Sequence, residues 1–178
     1  MNTKTKDIYT LFRIKGVGPA ALNKIISAGY SSINELCSLG SEDELKKLIR
    51  GGPNQTLAID TILNSSDYHI DFIENEIEQL NSMDIEIFSK WDDDYPLGYR
   101  LLRNKAPLFI YTKGNTNLLH EENSIAIIGT RDCSPRGEII ANITASRFAE
   151  KGYNIVSGLA QGIDTAAHNG ALLVGGNT

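Results

Sequence analysis

The sequence predicts an α/β protein in two parts. A bundle of short helices occupies residues 1–65, and a doubly wound, mainly parallel sheet occupies residues 66–178, with a lead-in at 66–122 and a core at 123–178. Three observations predict it. Apolar residues near the N-terminus recur at helical spacing and are interrupted by glycine and serine. The run Ser124-Ile125-Ala126-Ile127-Ile128 is short, nearly continuous and closed by Gly129, the pattern of a buried parallel strand. After it the chain reads strand, helix, strand, helix, the unit of a doubly wound sheet.

The elements follow in order. Ile8, Leu11, Phe12 and Ile14 form a first helical stripe, and Leu22, Ile25 and Ile26 a second, with Gly29 placed as a C-cap. Ser32 with Glu35 carries the capping-box spacing of a third helix, and Ser41 with Glu44 repeats it before Leu45, Leu48 and Ile49. Gly51-Gly52-Pro53 breaks the chain before a helix over 54–63. Ile70, Ile73, Ile77 and Leu80 give the stripe of a longer helix, and Ile85–Phe88 alternates as a strand. Asp92-Asp93-Asp94-Tyr95-Pro96 reads as a solvated turn, residues 97–103 as a short helix, and Leu108–Tyr111 as a strand. Beyond Gly129, Ser134 is placed as N-cap and Pro135 at the first position of a helix to Lys151, with Ile139, Ile143, Ala145 or Ser146, and Phe148 inward. A strand at 153–157, a loop at 158–162 and a helix at 163–174 complete the chain.

Composition narrows the function classes. The 178 residues are 41% apolar and 22% charged, ordinary for a globular protein. No apolar run reaches the length of a membrane span, and the polar N-terminus is not a secretory signal, so a cytoplasmic protein is expected. Cys37 and Cys133 have no partner at metal-ligand spacing and read as free thiols; His69, His120 and His168 are scattered, so neither a metal nor a cofactor is expected. The net charge of −5 argues against a surface coated with nucleic-acid-binding charge, but backbone amides and a few arginines suffice for a local phosphate site.

Two constellations carry chemistry. Gly129-Thr130-Arg131, with Ser134 and Gly137, follows a strand and opens a helix, where unpaired N–H groups and the dipole favour an anion. Thr130 and Ser134 offer hydroxyls, and Arg131 a bidentate charge-assisted contact. The second loop, Ser157-Gly158-Leu159-Ala160-Gln161-Gly162, also joins a strand to a helix, so a parallel sheet brings both loops to one edge. Asp164 is placed either as a first-turn capping residue or as the partner that orients Arg131, with His168 one turn further along the same face. Neither G-x-G-x-x-G with its distal acid nor a Walker loop is present. A weaker candidate is the hairpin Lys15-Gly16-Val17-Gly18 with Lys24, whose backbone amides would contact phosphates without reading bases; packing alone explains it equally well.

These residues resemble a known family. Ile125–Arg131, Ser134–Gly137 and Ser157–His168 are similar to the central motifs of the DNA-processing DprA/Smf family, Asp94-Tyr95-Pro96 and Pro107–Asn115 to its lead-in, and residues 14–26 to a helix–hairpin–helix or SAM-like module. The resemblance implies a Rossmann-like domain that binds single-stranded DNA without catalysis, protects incoming strands in natural transformation, assists loading of the recombinase RecA, and forms a homodimer when full length. It implies Gly129, Arg131, Ser134, Gly158 and Gly162 as the lining of the phosphate pocket, and a domain that continues beyond Thr178 with more of the sheet, a pocket-completing lysine, and much of the dimer and recombinase surfaces. Two other readings stay open on the residues. One is a nucleotide-binding or nucleotide-processing enzyme, against which stands the absence of a P-G-G-x-G-T-x-x-E stretch; the other is a protein-interaction scaffold, which the acidic net charge suits.

Overall fold

Caps and breakers divide the N-terminal half into helices as the sequence predicts. The computed structural model describes residues 2–64 and 67–178, and side chains for all of these except 67–70, so the expected boundary between 65 and 66 and the stripe position Ile70 lie outside the described residues and side chains. The chain forms two compact units, Met1–Gly114 and Asn115–Thr178.

The first unit contains α1 (Thr3–Arg13), α2 (Pro19–Ser27), α3 (Ile33–Ser38), α4 (Glu42–Leu48), α5 (Gln55–Asn64), α6 (Asp67–Ser82), β1 (Ile85–Ser89), α7 (Leu97–Arg100) and β2 (Phe109–Lys113). The Ser32/Glu35 capping box is complete, and Ser41 Oγ accepts from the Glu44 N–H. Gly29 has φ +93°, and the Tyr30 N–H returns to the Ile25 carbonyl, ending α2 in the left-handed turn expected of a glycine cap. Ile8, Leu11, Ile14, Leu22, Ile25, Leu36, Leu45, Ile59 and Ile62 form the main core. Burying such side chains stabilises by about 1.5–3 kcal/mol each relative to exposure. β1 and β2 pair antiparallel, Ile87 opposite Tyr111. Tyr9, Ile73, Ile77 and Ile87 make a smaller cluster that joins α1, α6 and β1, so most of the lead-in belongs to the first unit.

The acidic turn differs from expectation. Asp93 and Asp94 are exposed, but Asp92 is only 4% exposed. Its carboxylate accepts from Thr5 Oγ1, at 2.5 and 2.6 Å from its two oxygens, and from the Ser89 N–H at 2.6 Å. The Arg100 guanidinium donates to the carbonyls of Asp92, Asp93 and Tyr95, clamping the turn from outside. Asp92 is thus a buried clasp between α1 and β1. A carboxylate here satisfies two donors that no nearby backbone acceptor serves.

The second unit contains β3 (Ser124–Ala126), α8 (Pro135–Ala149), β4 (Asn154–Val156) and α9 (Ile163–Leu173). β3 and β4 are parallel, with Ile125 opposite Ile155, and the Ile127 N–H extends the ladder to the Val156 carbonyl. On the far side of β4, the Ile155 N–H donates to the Asn177 carbonyl and Thr178 Oγ1 donates to the Ile155 carbonyl. Ile155 of β4 is buried, whereas Ser124 and Ala126 of β3 are exposed, so β3 is not the fully buried strand its composition suggests.

The inward face of α8 is also corrected. Ala141, Ala145 and Ala149 are buried, Phe148 is partly buried, and Ile139 and Ile143 are exposed. α8 lies against α9 so closely that a Cβ on Gly170 would strike the Asn142 carbonyl oxygen. Ser146 Oγ spans the contact, within 3.0 Å of the Asn142 carbonyl oxygen and 2.8 Å of that of Gly170. Only small residues fit such an approach, so size and not hydrophobicity selects the buried stripe.

Candidate functional site

The parallel pairing of β3 and β4 puts the two glycine-containing loops at the same end of the second unit, as the sequence predicts. Ser134 caps α8, its Oγ accepting from the Gly137 N–H at 3.1 Å, and Pro135 fills the first helical position. Gly162 begins α9 at φ +83°. A Cβ there would strike the carbonyl oxygens of Thr130 and Arg131, so this position requires glycine for both its dihedral and its contact. The Ile163 N–H donates to the Thr130 carbonyl at 3.3 Å, holding the start of α9 to the first loop.

Asp164 joins the two loops. It is 7% exposed, and its Oδ1 accepts from the Gly129 N–H at 3.3 Å across 35 residues of sequence. A Cβ on Gly158 would stand 2.8 Å from Oδ2, so Gly158 lets the second loop rest on the other carboxylate oxygen. Gly129 lies flat against Ile163, with no room for a side chain. Asp164 stands in the first turn of α9, as one of its two sequence readings has it, and makes no hydrogen bond to Arg131 or His168 among the described residues. The ring Nδ1 of His168 instead lies 2.6 Å from Thr178 Oγ1, beside β4. Thr178 Oγ1 gives its proton to the Ile155 carbonyl, so Nδ1 is the donor to it, and Nε2 is buried with no partner among the described residues.

Several donors assigned from sequence to a ligand are already used. The Gly129 N–H serves Asp164. Ser157 Oγ donates to the Ile127 carbonyl at 2.6 Å, and Thr130 Oγ1 closes a local turn with Asp132 at 3.3 Å. Ser134 Oγ accepts from Gly137 but keeps its proton for another acceptor. The guanidinium of Arg131 is exposed and engages no carboxylate among the described residues. Arg131 thus carries a positive charge that no carboxylate neutralises among the described residues.

Two neighbours were not singled out by sequence reasoning. Arg136, in the first turn of α8, is exposed and likewise has no ion-pair partner among the described residues. Its position one residue past the N1 proline was the available signal. Leu159 stands 81% exposed at φ +56° in the second loop, a conformation uncommon for a leucine. Nothing in its local sequence marks it.

The hairpin candidate lies in the first unit. Gly16 has φ +108° and packs against α5, where a side chain would strike the Asn54 carbonyl; Gly18 is the N-cap of α2 and faces open space. Lys15 and Lys24 are exposed. Lys24 sits in the last turn of α2, six residues from Gly18 and so about 9 Å along the helix axis. No cluster of His, Cys, Asp or Glu suited to a metal occurs among the described residues, and no helix there is long and apolar enough to cross a membrane. Cys37 Sγ–H donates to the Ile62 carbonyl at 2.6 Å, and both cysteines are free thiols.

The chain is similar to known proteins. The sequence profile of the DNA recombination-mediator protein A family matches residues 86–178. The chain is 31% identical over 172 residues to the DNA processing protein DprA of Streptococcus pneumoniae, covering 96% of this chain and 55% of that protein. It is 36% identical over 72 residues to the DNA processing protein DprA of Bacillus subtilis, covering 40% of this chain and 24% of that one, and 37% identical over 70 residues to protein Smf of Escherichia coli, covering 39% and 18%. The X-ray structure of the pneumococcal protein superposes with a TM-score of 0.67 at 26% identity, over 99% of this chain and 56% of that chain. The chain thus spans little more than half the length of the pneumococcal relative, and it belongs to the DNA recombination-mediator protein A family.

Proposed function

We propose that this chain is a sequence-independent single-stranded DNA binder that acts in DNA processing and recombination in the cytoplasm. The paired loops at the ends of β3 and β4 are its phosphate contact, and β3–β4 is part of a Rossmann-like sheet. Arg131 is the residue that reaches the strand. One observation carries the reading: Arg131 stands exposed and without a carboxylate partner among the described residues, on a loop held from behind by Asp164, Gly162 and Ile163. A guanidinium so placed offers two parallel donors to a phosphate and reads no base, which suits binding without sequence preference. The Ser134 hydroxyl and Arg136 lie at the same helix start and extend the contact. We read the role as binding: around the loops, the hydroxyls of Ser157 and Thr130 are engaged with backbone groups. In the full-length protein the same reading includes protection of incoming strands, assistance to RecA, and a homodimer.

The test is a titration of fluorescent oligo-dT with the wild-type chain and with Arg131→Ala at low and moderate salt. Wild-type affinity should fall as salt rises, with a log–log slope of about 0.7 per phosphate contacted. Arg131→Ala should weaken binding by about tenfold or more and lower that slope by about one contact. Salt-independent binding, or an unchanged affinity in Arg131→Ala, rejects the assignment.

A further inference from the structure

Resting on that reading, we infer that Asp164 is a positioning residue: its carboxylate ties the first loop to the second and thereby sets where Arg131 stands. The geometry is specific. Oδ1 holds the Gly129 N–H, and Oδ2 backs onto Gly158. The preceding residues of α9 hold the next part of the loop, Ile163 N–H on the Thr130 carbonyl and Gly162 against the Thr130 and Arg131 carbonyls. The backbone is thus fixed at Gly129, Thr130 and Arg131 in succession, while the guanidinium itself is left free for a ligand.

A carboxylate beside a phosphate site is unfavourable by charge alone, since like charges repel. Its presence there is accounted for by what it holds. Asp164 is 93% buried by its 7% exposure, and its accepting oxygen lies where no other acceptor serves Gly129 among the described residues. The required property is an oxygen acceptor of this length, not the negative charge. Asparagine supplies the same oxygen without the charge, whereas alanine removes the tie and leaves the Gly129 N–H without its partner.

The experiment compares wild type, Asp164→Asn and Asp164→Ala in the full chain by oligo-dT titration across salt, with amide hydrogen exchange on the free protein. Asp164→Asn should bind within threefold of wild type. Asp164→Ala should bind at least tenfold more weakly and lose about 0.7 from the salt slope, because Arg131 no longer meets its phosphate. Partial unfolding lowers the fraction of active protein without changing that slope, so the slope separates positioning from a purely structural effect. Exchange at Gly129 should be slow in wild type and Asp164→Asn and fast in Asp164→Ala. The role is overturned if Asp164→Ala binds with wild-type affinity and slope, or if Asp164→Asn binds as weakly as Asp164→Ala. Slow exchange of Gly129 in Asp164→Ala overturns the tie alone, and failure of the wild-type chain to bind overturns the DNA reading and this role with it.

Discussion

Replacing Asp92 by alanine should be among the most damaging single changes in the first unit, although the residue lies in a run of three aspartates that reads as solvated. The magnitude follows from its partners. The Thr5 hydroxyl and the Ser89 N–H both donate to its carboxylate, and both residues are fully buried. Leaving a buried donor unsatisfied costs about 1–3 kcal/mol, so two orphaned donors cost about 2–6 kcal/mol. With a urea m-value of about 1.5 kcal/mol per molar, a loss of about 4 kcal/mol moves the unfolding midpoint down by about 2–3 M. The assay is built into the chain. Trp91 is its single tryptophan, adjoins Asp92 and packs on the main core 6.5 Å from Phe109, so its fluorescence reports this unit's unfolding. Thr5→Val removes one of the two orphaned donors, so the double substitution Thr5→Val/Asp92→Ala should be less destabilised than the sum of the singles. A midpoint shift below about 0.3 M for Asp92→Ala is what a surface substitution within ±0.5 kcal/mol gives, and would refute the clasp.

Two further outcomes are expected. Gly170→Ala should destabilise the second unit by about 1–3 kcal/mol, because its methyl would strike the Asn142 carbonyl across the α8–α9 contact; an unchanged thermal melt would show that the helices can separate without cost. The Glu35 carboxyl is held below its ordinary value of 4.5, first by the Ser31 N–H and further by the Ser31 hydroxyl and the Ser32 cap. Because the folded value is the lower one, its contribution to stability is present above pH 4.5 and is lost as pH falls through the depressed value. An NMR titration of this side chain with a midpoint at or above 4.5 would contradict the capping box.

Features written into a few consecutive residues were legible from the chain. Ser32 with Glu35, Ser41 with Glu44 and Ser134 before Pro135 each act over three residues, and the structure forms all three caps. The two glycine loops were legible for the same reason: each follows a short strand run and opens a helix, and parallel pairing then puts them at one end. The resemblance to DprA/Smf rested on these same segments, and the family assignment agrees with it.

The remaining features depend on residues far apart in sequence. Ile139 and Ile143 outrank Ala141 and Ala145 in hydrophobicity, yet the alanines are buried, because Gly170 lets α9 approach too closely for a larger side chain. Asp92 looked solvated among its neighbours until Thr5, 87 residues away, and Ser89 took its oxygens. The place of Asp164 in the first turn of α9 is local and legible, but its partner, the Gly129 N–H 35 residues earlier, is not. Capping and turn chemistry are local, so the helices and the loops at their ends can be read from consecutive residues. Which donor meets which acceptor inside the fold is set by how the elements pack, and only the folded chain brings those groups together.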